Sequence, residues 1–136
     1  MLAQFPFPQT RPLERQSVDA LYATGYWLLS EERIRPALDV FRTLIVVAPG
    51  DERGWLGLGE AHERTDDLRT AEALYSLAHR AVPDSARCLL ARARVLRALD
   101  RTDQVGELLE AAAELAAAAS DDDLAGLIAT EARRIA

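Results

Sequence analysis

Few side chains in this sequence have the type and spacing that chemistry requires. His62, His79 and the single cysteine, Cys88, supply all its imidazoles and thiols. Metal sites need such ligands clustered at short, regular intervals, and a nucleophile needs a base beside it. These three share no such spacing, and the two histidines fall on different predicted helices. His62 reads as a packing residue and Asp66-Asp67 as a helix cap. There is no phosphate-binding loop, no Gly-rich dinucleotide loop and no nucleophile elbow. The sequence is therefore read as a non-enzyme with no catalytic residue, no metal and no cofactor. Two groups suit binding instead. Tyr22 and Tyr26 lie one helical turn apart, and Arg87, Arg92, Arg94, Arg97 and Arg101 fall close together.

Side chains one turn apart act together only on helices, and the composition favours helix. Alanine and leucine supply 25 and 21 of 136 residues, and both enter helices at little cost. At 49% hydrophobic, the chain can fill a core, which excludes long disorder. One cysteine excludes a disulfide scaffold. The longest apolar runs, near Leu44–Ala48 and Leu115–Ala119, are far below the roughly 20 residues of a membrane span, so no stable membrane insertion is expected. Sixteen basic against 22 acidic residues, net −6, argue against nucleic acid as a partner, since that binding rests on neutralising phosphates. All the basic residues are arginine, which we read chiefly as codon bias. The N-terminus lacks the basic-then-apolar pattern of a secretory signal, so a cytoplasmic location is expected.

The chain also overlays itself when shifted by 34. Pro49 matches Pro83, Ala37 matches Ala71, and Gly25, Gly59 and Ala93 form a series, as do Phe41, Tyr75 and Leu109. That period with those residue types is the signature of the tetratricopeptide repeat, a pair of antiparallel helices A and B. Small residues let A approach B, the large ones fill the gap to the next unit, and the prolines stop helix B. The fold class is all-α: three tetratricopeptide repeats (18–49, 50–83 and 84–119) in a right-handed helical solenoid. A capping helix follows in 120–136. Helices are predicted over 18–30, 33–47, 51–64, 67–81, 85–98, 102–118 and 122–135. Residues 1–17, with Phe5-Pro6-Phe7-Pro8 and Arg11-Pro12, form a proline-rich arm. It docks on its own groove or a second subunit, or hangs as a tail.

A helices line the concave side of such a stack. Periodicity points Asp19, Tyr22, Tyr26 and Leu29, then Arg53, Leu56, Glu60 and Glu63, then Arg87, Leu90, Arg94 and Arg97 into it. The tyrosines form a ledge for a peptide or pack on the arm or core. The arginines bind carboxylates, or form a solvated face balanced by the acidic stretch Asp103–Glu114.

Leu21-Tyr22-Ala23, Gly25-Tyr26, Phe41-Arg42-Thr43-Leu44 and above all Asp51 to Gly59, with Trp55-Leu56-Gly57-Leu58-Gly59, resemble the class II chaperones of bacterial type III secretion. The resemblance runs from about Val18 to Ala118. It implies a homodimer that holds an extended segment of a hydrophobic secreted translocator in the groove and keeps it soluble until export. By resemblance the groove holds Tyr22, Tyr26, Leu29, Leu56 and Leu90, and periodicity adds Arg53, Glu60, Arg87 and Arg94 to the candidate peptide-binding set. Leu29 and Leu90 stand where that family often has aromatics, which implies a shallower pocket. The family's N-terminal region is usually helical, whereas this one is proline-rich. The other readings are a scaffold joining folded partners and a needle-subunit co-chaperone. The lysine and asparagine of the carboxylate clamp of heat-shock co-chaperones are absent.

Overall fold

The computed structural model describes residues 14–134; the arm as far as residue 13 lies outside the described residues. Seven helices follow: α1 Arg15–Ser30, α2 Ile34–Val47, α3 Glu52–Arg64, α4 Leu68–Ala81, α5 Ala86–Ala98, α6 Val105–Ala118 and α7 Asp122–Arg133. No strand occurs among the described residues. Each helix packs on its neighbour in sequence, and α1, α3, α5 and α7 also pack in succession. The expected three-unit stack with its capping helix is therefore present. Two helix starts differ from expectation by three residues, and the other ends agree within two. Helix α1 starts three residues before Val18, so Arg15 to Ser17 belong to it rather than to the arm. Helix α6 starts at Val105, three residues after Thr102.

Local chemistry explains most boundaries. Asp51, Asp67, Ser85 and Asp121 each accept a backbone N–H of the first turn that follows, satisfying donors that the helix leaves free. Pro49 and Pro83 stand two residues beyond α2 and α4. Pro36 is the third residue of α2, where a missing N–H removes no intrahelical bond.

The turns within units carry a second 34-residue signature. Glu32, Asp66 and Asp100 all have φ near +60°. Each ends a helix with paired backbone bonds, as where Arg33 N donates to Leu28 O at 2.9 Å and Glu32 N to Leu29 O at 3.0 Å. Glycine usually takes this left-handed position. A glutamate there is strained more than an aspartate. Glu32→Gly is therefore expected to raise the unfolding free energy by about 0.5–1 kcal/mol, and Asp66→Gly by less. Urea denaturation of both variants checks the order.

Packing between units follows one rule. A large residue from helix B wedges between small residues on two successive A helices. Phe41 is fully buried, and a Cβ on Gly25 or Gly57 would sit 2.7 or 2.1 Å from its ring. Tyr75 meets Gly59 in the same way and shares a cluster with Ala91 and Val95 of the next unit. Leu109 shares one with Ala93 and Ala125. Ala125 lies 34 positions after Ala91, so α7 occupies the place of a fourth A helix.

Candidate peptide-binding groove

The tyrosine ledge exists. The rings of Tyr22 and Tyr26 are 4.7 Å apart, and Tyr26 meets Phe41 edge-on at 5.7 Å. Both tyrosines are half-buried. Burial, helped by the nearby Glu60 carboxylate and by Tyr22, pushes the Tyr26 hydroxyl above its ordinary pKa. Arg53 sits 4.9 Å over the Tyr22 ring. It is held at 2.8 Å by both Asp19 and Asp51, so its charge is spent within the protein.

Beyond the ledge, a concavity of about 440 Å³ opens between α1, α3, α5 and α7. Six of the nine groove residues expected from sequence line it: Tyr26, Leu56, Glu60, Arg87, Leu90 and Arg94. Tyr22 and Arg53 lie outside that lining. Leu29 is corrected outright: it is 0% exposed and belongs to the core, beneath the turn into α2. Leu90 is also buried and forms floor rather than wall.

Five lining residues escaped the sequence reading: Arg64, Tyr75, Ala91, Leu124 and Leu127. Leu124 and Leu127 come from α7, the helix expected from sequence to act as a cap. Leu124 and Ile128 do cover the last repeat, but Leu127 stays 51% exposed. The 34-residue register places Leu124 after Leu56 and Leu90, but it puts Leu127 at the buried small-residue place of Gly59 and Ala93. Tyr75 reaches the lining from α4, and its hydroxyl donates to Glu63 Oε2 at 2.6 Å. Burial raises the Glu63 carboxyl above its usual range, and the Tyr75 hydrogen bond opposes the rise. The folded protein thus keeps that proton where the unfolded chain has lost it. Stability therefore falls as pH climbs above the ordinary carboxylate range. Glu63→Gln, which still accepts from Tyr75, is expected to flatten that fall. Urea midpoints at pH 4.5 and 7 check it.

The arginines of α5 are paired, and not by Asp103–Glu114 as expected. Arg87 bridges Glu52 and Asp121 at 3.3 and 3.2 Å, and Arg92 meets Glu72 at 2.9 Å. Arg94 and Arg97 share Glu131 of α7, at 3.4 and 2.7 Å. Glu131 is 1% exposed. Each arginine of α5 therefore has a carboxylate partner within the protein, with Arg94 and Arg97 sharing one.

The other reactive groups are dispersed. Cys88 is buried and its thiol is pushed up to about 11 by that burial. His62 is half-buried, 3.3 Å from Asp67. Among the described residues, no three His, Cys, Asp or Glu side chains converge. No described helix is long and apolar enough to cross a membrane.

A family model described as a tetratricopeptide repeat matches residues 52–95, the second unit and the start of the third. The fold is that of the tetratricopeptide-repeat proteins. Solved tetratricopeptide structures overlay nearly the whole chain. PcrH from Pseudomonas aeruginosa gives a TM-score of 0.79 at 22% identity, covering 94% of this chain and 98% of that one. The type III secretion translocator chaperone SycD of Yersinia enterocolitica gives 0.80 at 20% identity, covering 89% and 91%. SycD in complex with a peptide of the translocator YopD gives 0.76 at 21% identity, covering 92% and 96%. At these identities the likeness establishes the tetratricopeptide fold. No curated protein matches the chain.

Proposed function

We propose that this protein is a cytoplasmic chaperone of type III secretion that holds an extended, apolar segment of a translocator in the groove of α1, α3, α5 and α7. One observation carries the reading. The groove's arginines are already paired with the protein's own carboxylates, which leaves Tyr26, Leu56, Leu90 and the half-exposed Leu127 as the means of recognition. Such a surface suits apolar anchors on an unfolded chain rather than a charged terminus or nucleic acid. The likeness to SycD bound to a YopD peptide supports the class of ligand. Binding, not catalysis, is the activity. Trp27, 55% exposed on α1, supports self-association into a homodimer through that helix.

Each well-buried apolar anchor contributes roughly 1.5–3 kcal/mol, and ordering the peptide offsets part of the sum. Binding that keeps an aggregating client soluble yet releases it fits the micromolar range. Leu56→Ala/Leu127→Asp changes the groove while sparing the buried wedges. The double variant is expected to bind about tenfold or more weakly. The test is co-expression pull-down with mass spectrometry, comparing wild type and variant. A hydrophobic secreted protein held by the wild type and lost by the variant supports the reading. A folded cytosolic partner retained by both overturns it in favour of a scaffold.

A further inference from the structure

A groove of about 470 Å³ runs between α6 and α7 and shares no lining residue with the α1–α3–α5–α7 groove. Helix α6 lines it with Gly106, Leu109, Glu110 and Ala113, and α7 repeats that i, i+3, i+4, i+7 spacing from Ala125 to Ala132. Leu109 and Ile128 are buried and form its floor. Its walls are glycine and alanine, and Ala113, Ala129 and Ala132 are exposed. Each stripe covers about two helical turns, roughly 11 Å. Small walls over an apolar floor let the backbone of another helix approach closely.

The 34-residue register identifies what belongs there. Ala129 follows Ala61 and Val95 at steps of 34. Ala61 is fully buried and shares a cluster with Leu74 of the next helix, α4. Val95 is buried beside Leu99 and Tyr75. Ala129 is exposed, because no described helix follows α7 as α4 follows α3. The open place is that of a helix with an apolar stripe.

Charge selects among helices. Glu107, Glu110 and Glu114 follow at i, i+3 and i+7 along α6, with Asp103 one turn earlier, and all four are exposed. None has an ion-pair partner among the described residues, and α6 itself carries no basic residue. On α7, Asp122 and Arg133 flank the lined stretch and cancel. A second copy docked here about a two-fold axis would set one acidic row against another. Nucleic acid and anionic lipid would be repelled by the same row.

From this shape and charge we infer that the α6–α7 groove receives two to three turns of a basic amphipathic helix from a partner protein. The apolar stripe of that helix lies on Leu109 and Ile128, and its lysines or arginines meet Glu107, Glu110 and Glu114. The inference is independent of what the α1–α3–α5–α7 groove binds.

The test uses the full-length protein and a fluorescent synthetic peptide of about five helical turns. The peptide carries leucine at i, i+3, i+4 and i+7 repeats, lysine beside the leucines and alanine elsewhere. Its scrambled isomer and a version with glutamate in place of lysine are the controls. Fluorescence anisotropy is expected to show the amphipathic peptide binding at least tenfold more tightly than either control. Ala113→Gln/Ala129→Gln fills the groove at two exposed positions, and Glu107→Gln/Glu110→Gln/Glu114→Gln removes the charge while keeping the shape. Each should weaken binding about tenfold, while Leu56→Ala, in the other groove, should leave it unchanged. Circular dichroism checks that every variant keeps its helices. Equal binding of the peptide and its scrambled isomer overturns the inference. So does binding that survives Ala113→Gln/Ala129→Gln but is lost in Leu56→Ala. Self-association of the wild type that Ala113→Gln/Ala129→Gln abolishes would assign the groove to a second copy instead.

Discussion

Gly57→Ala is expected to lower the melting temperature by on the order of 10 °C, corresponding to a net loss of about 2–3 kcal/mol. Alanine normally stabilises a helix by about 1 kcal/mol over glycine, so the sign itself is diagnostic. The new Cβ would fall 2.1 Å from Phe41 Cε1. The ring cannot retreat, because Gly25 stands against its other side, where a Cβ would come within 2.7 Å. Phe41→Leu in the same chain should recover at least half of the loss. Gly126→Ala is the control: nothing lies within 4 Å of its Cβ position, so it should stabilise α7. Thermal and urea denaturation of the four proteins decide the matter, and a stabilised Gly57→Ala would sink the wedge.

The second large effect is expected at Arg97. Its guanidinium lies 2.7 Å from Glu131 Oε1, while Arg94 and Arg134 are more distant at 3.4 and 3.7 Å. Arg97→Met keeps much of the side-chain volume but strips the nearest partner from an almost wholly buried carboxylate. Leaving a buried charge without its partner costs about 3 kcal/mol. Arg94 and Arg134 can return to water, since their side chains are 45% and 58% exposed. Arg97→Met/Glu131→Leu should therefore be more stable than Arg97→Met alone. The urea midpoints of single and double variants check this, and additive losses would show that the pair does not couple.

The repeat was legible because each matched pair has a steric job that few residues can do. Gly25 with Gly59, Phe41 with Tyr75 and Pro49 with Pro83 all report the packing of helix on helix, so the period carried the architecture. The left-handed turns repeat just as regularly at Glu32, Asp66 and Asp100, but acidic residues there look like ordinary surface. Within the groove, periodicity placed Tyr26, Leu56, Glu60, Leu90 and Arg94 because each rides an A helix. It failed at Leu29, where the chain's turn into α2 buries the last apolar residue of α1. It missed Tyr75 and Leu127 because a period inside one helix says nothing about how the next helix crosses it. The charge of α5 was misread for a similar reason. Its counterions Glu52, Glu72, Asp121 and Glu131 come from other units and from α7, not from the neighbouring acidic run.

Phe41 and Leu109 stand behind the α1–α3–α5–α7 groove and of the three wedges Tyr75 alone reaches its lining, yet all three are the spacers between its successive walls. Their bulk fixes the radius of the arc on which Tyr26, Leu56, Leu90 and Leu127 are mounted. The distance between anchor points along any ligand is therefore gauged by the side chains packed between the helices that carry the anchors. A smaller spacer at Phe41 would tighten the arc at one end and leave the other unchanged. Length selectivity in such a protein is thus tunable from the core, one unit at a time.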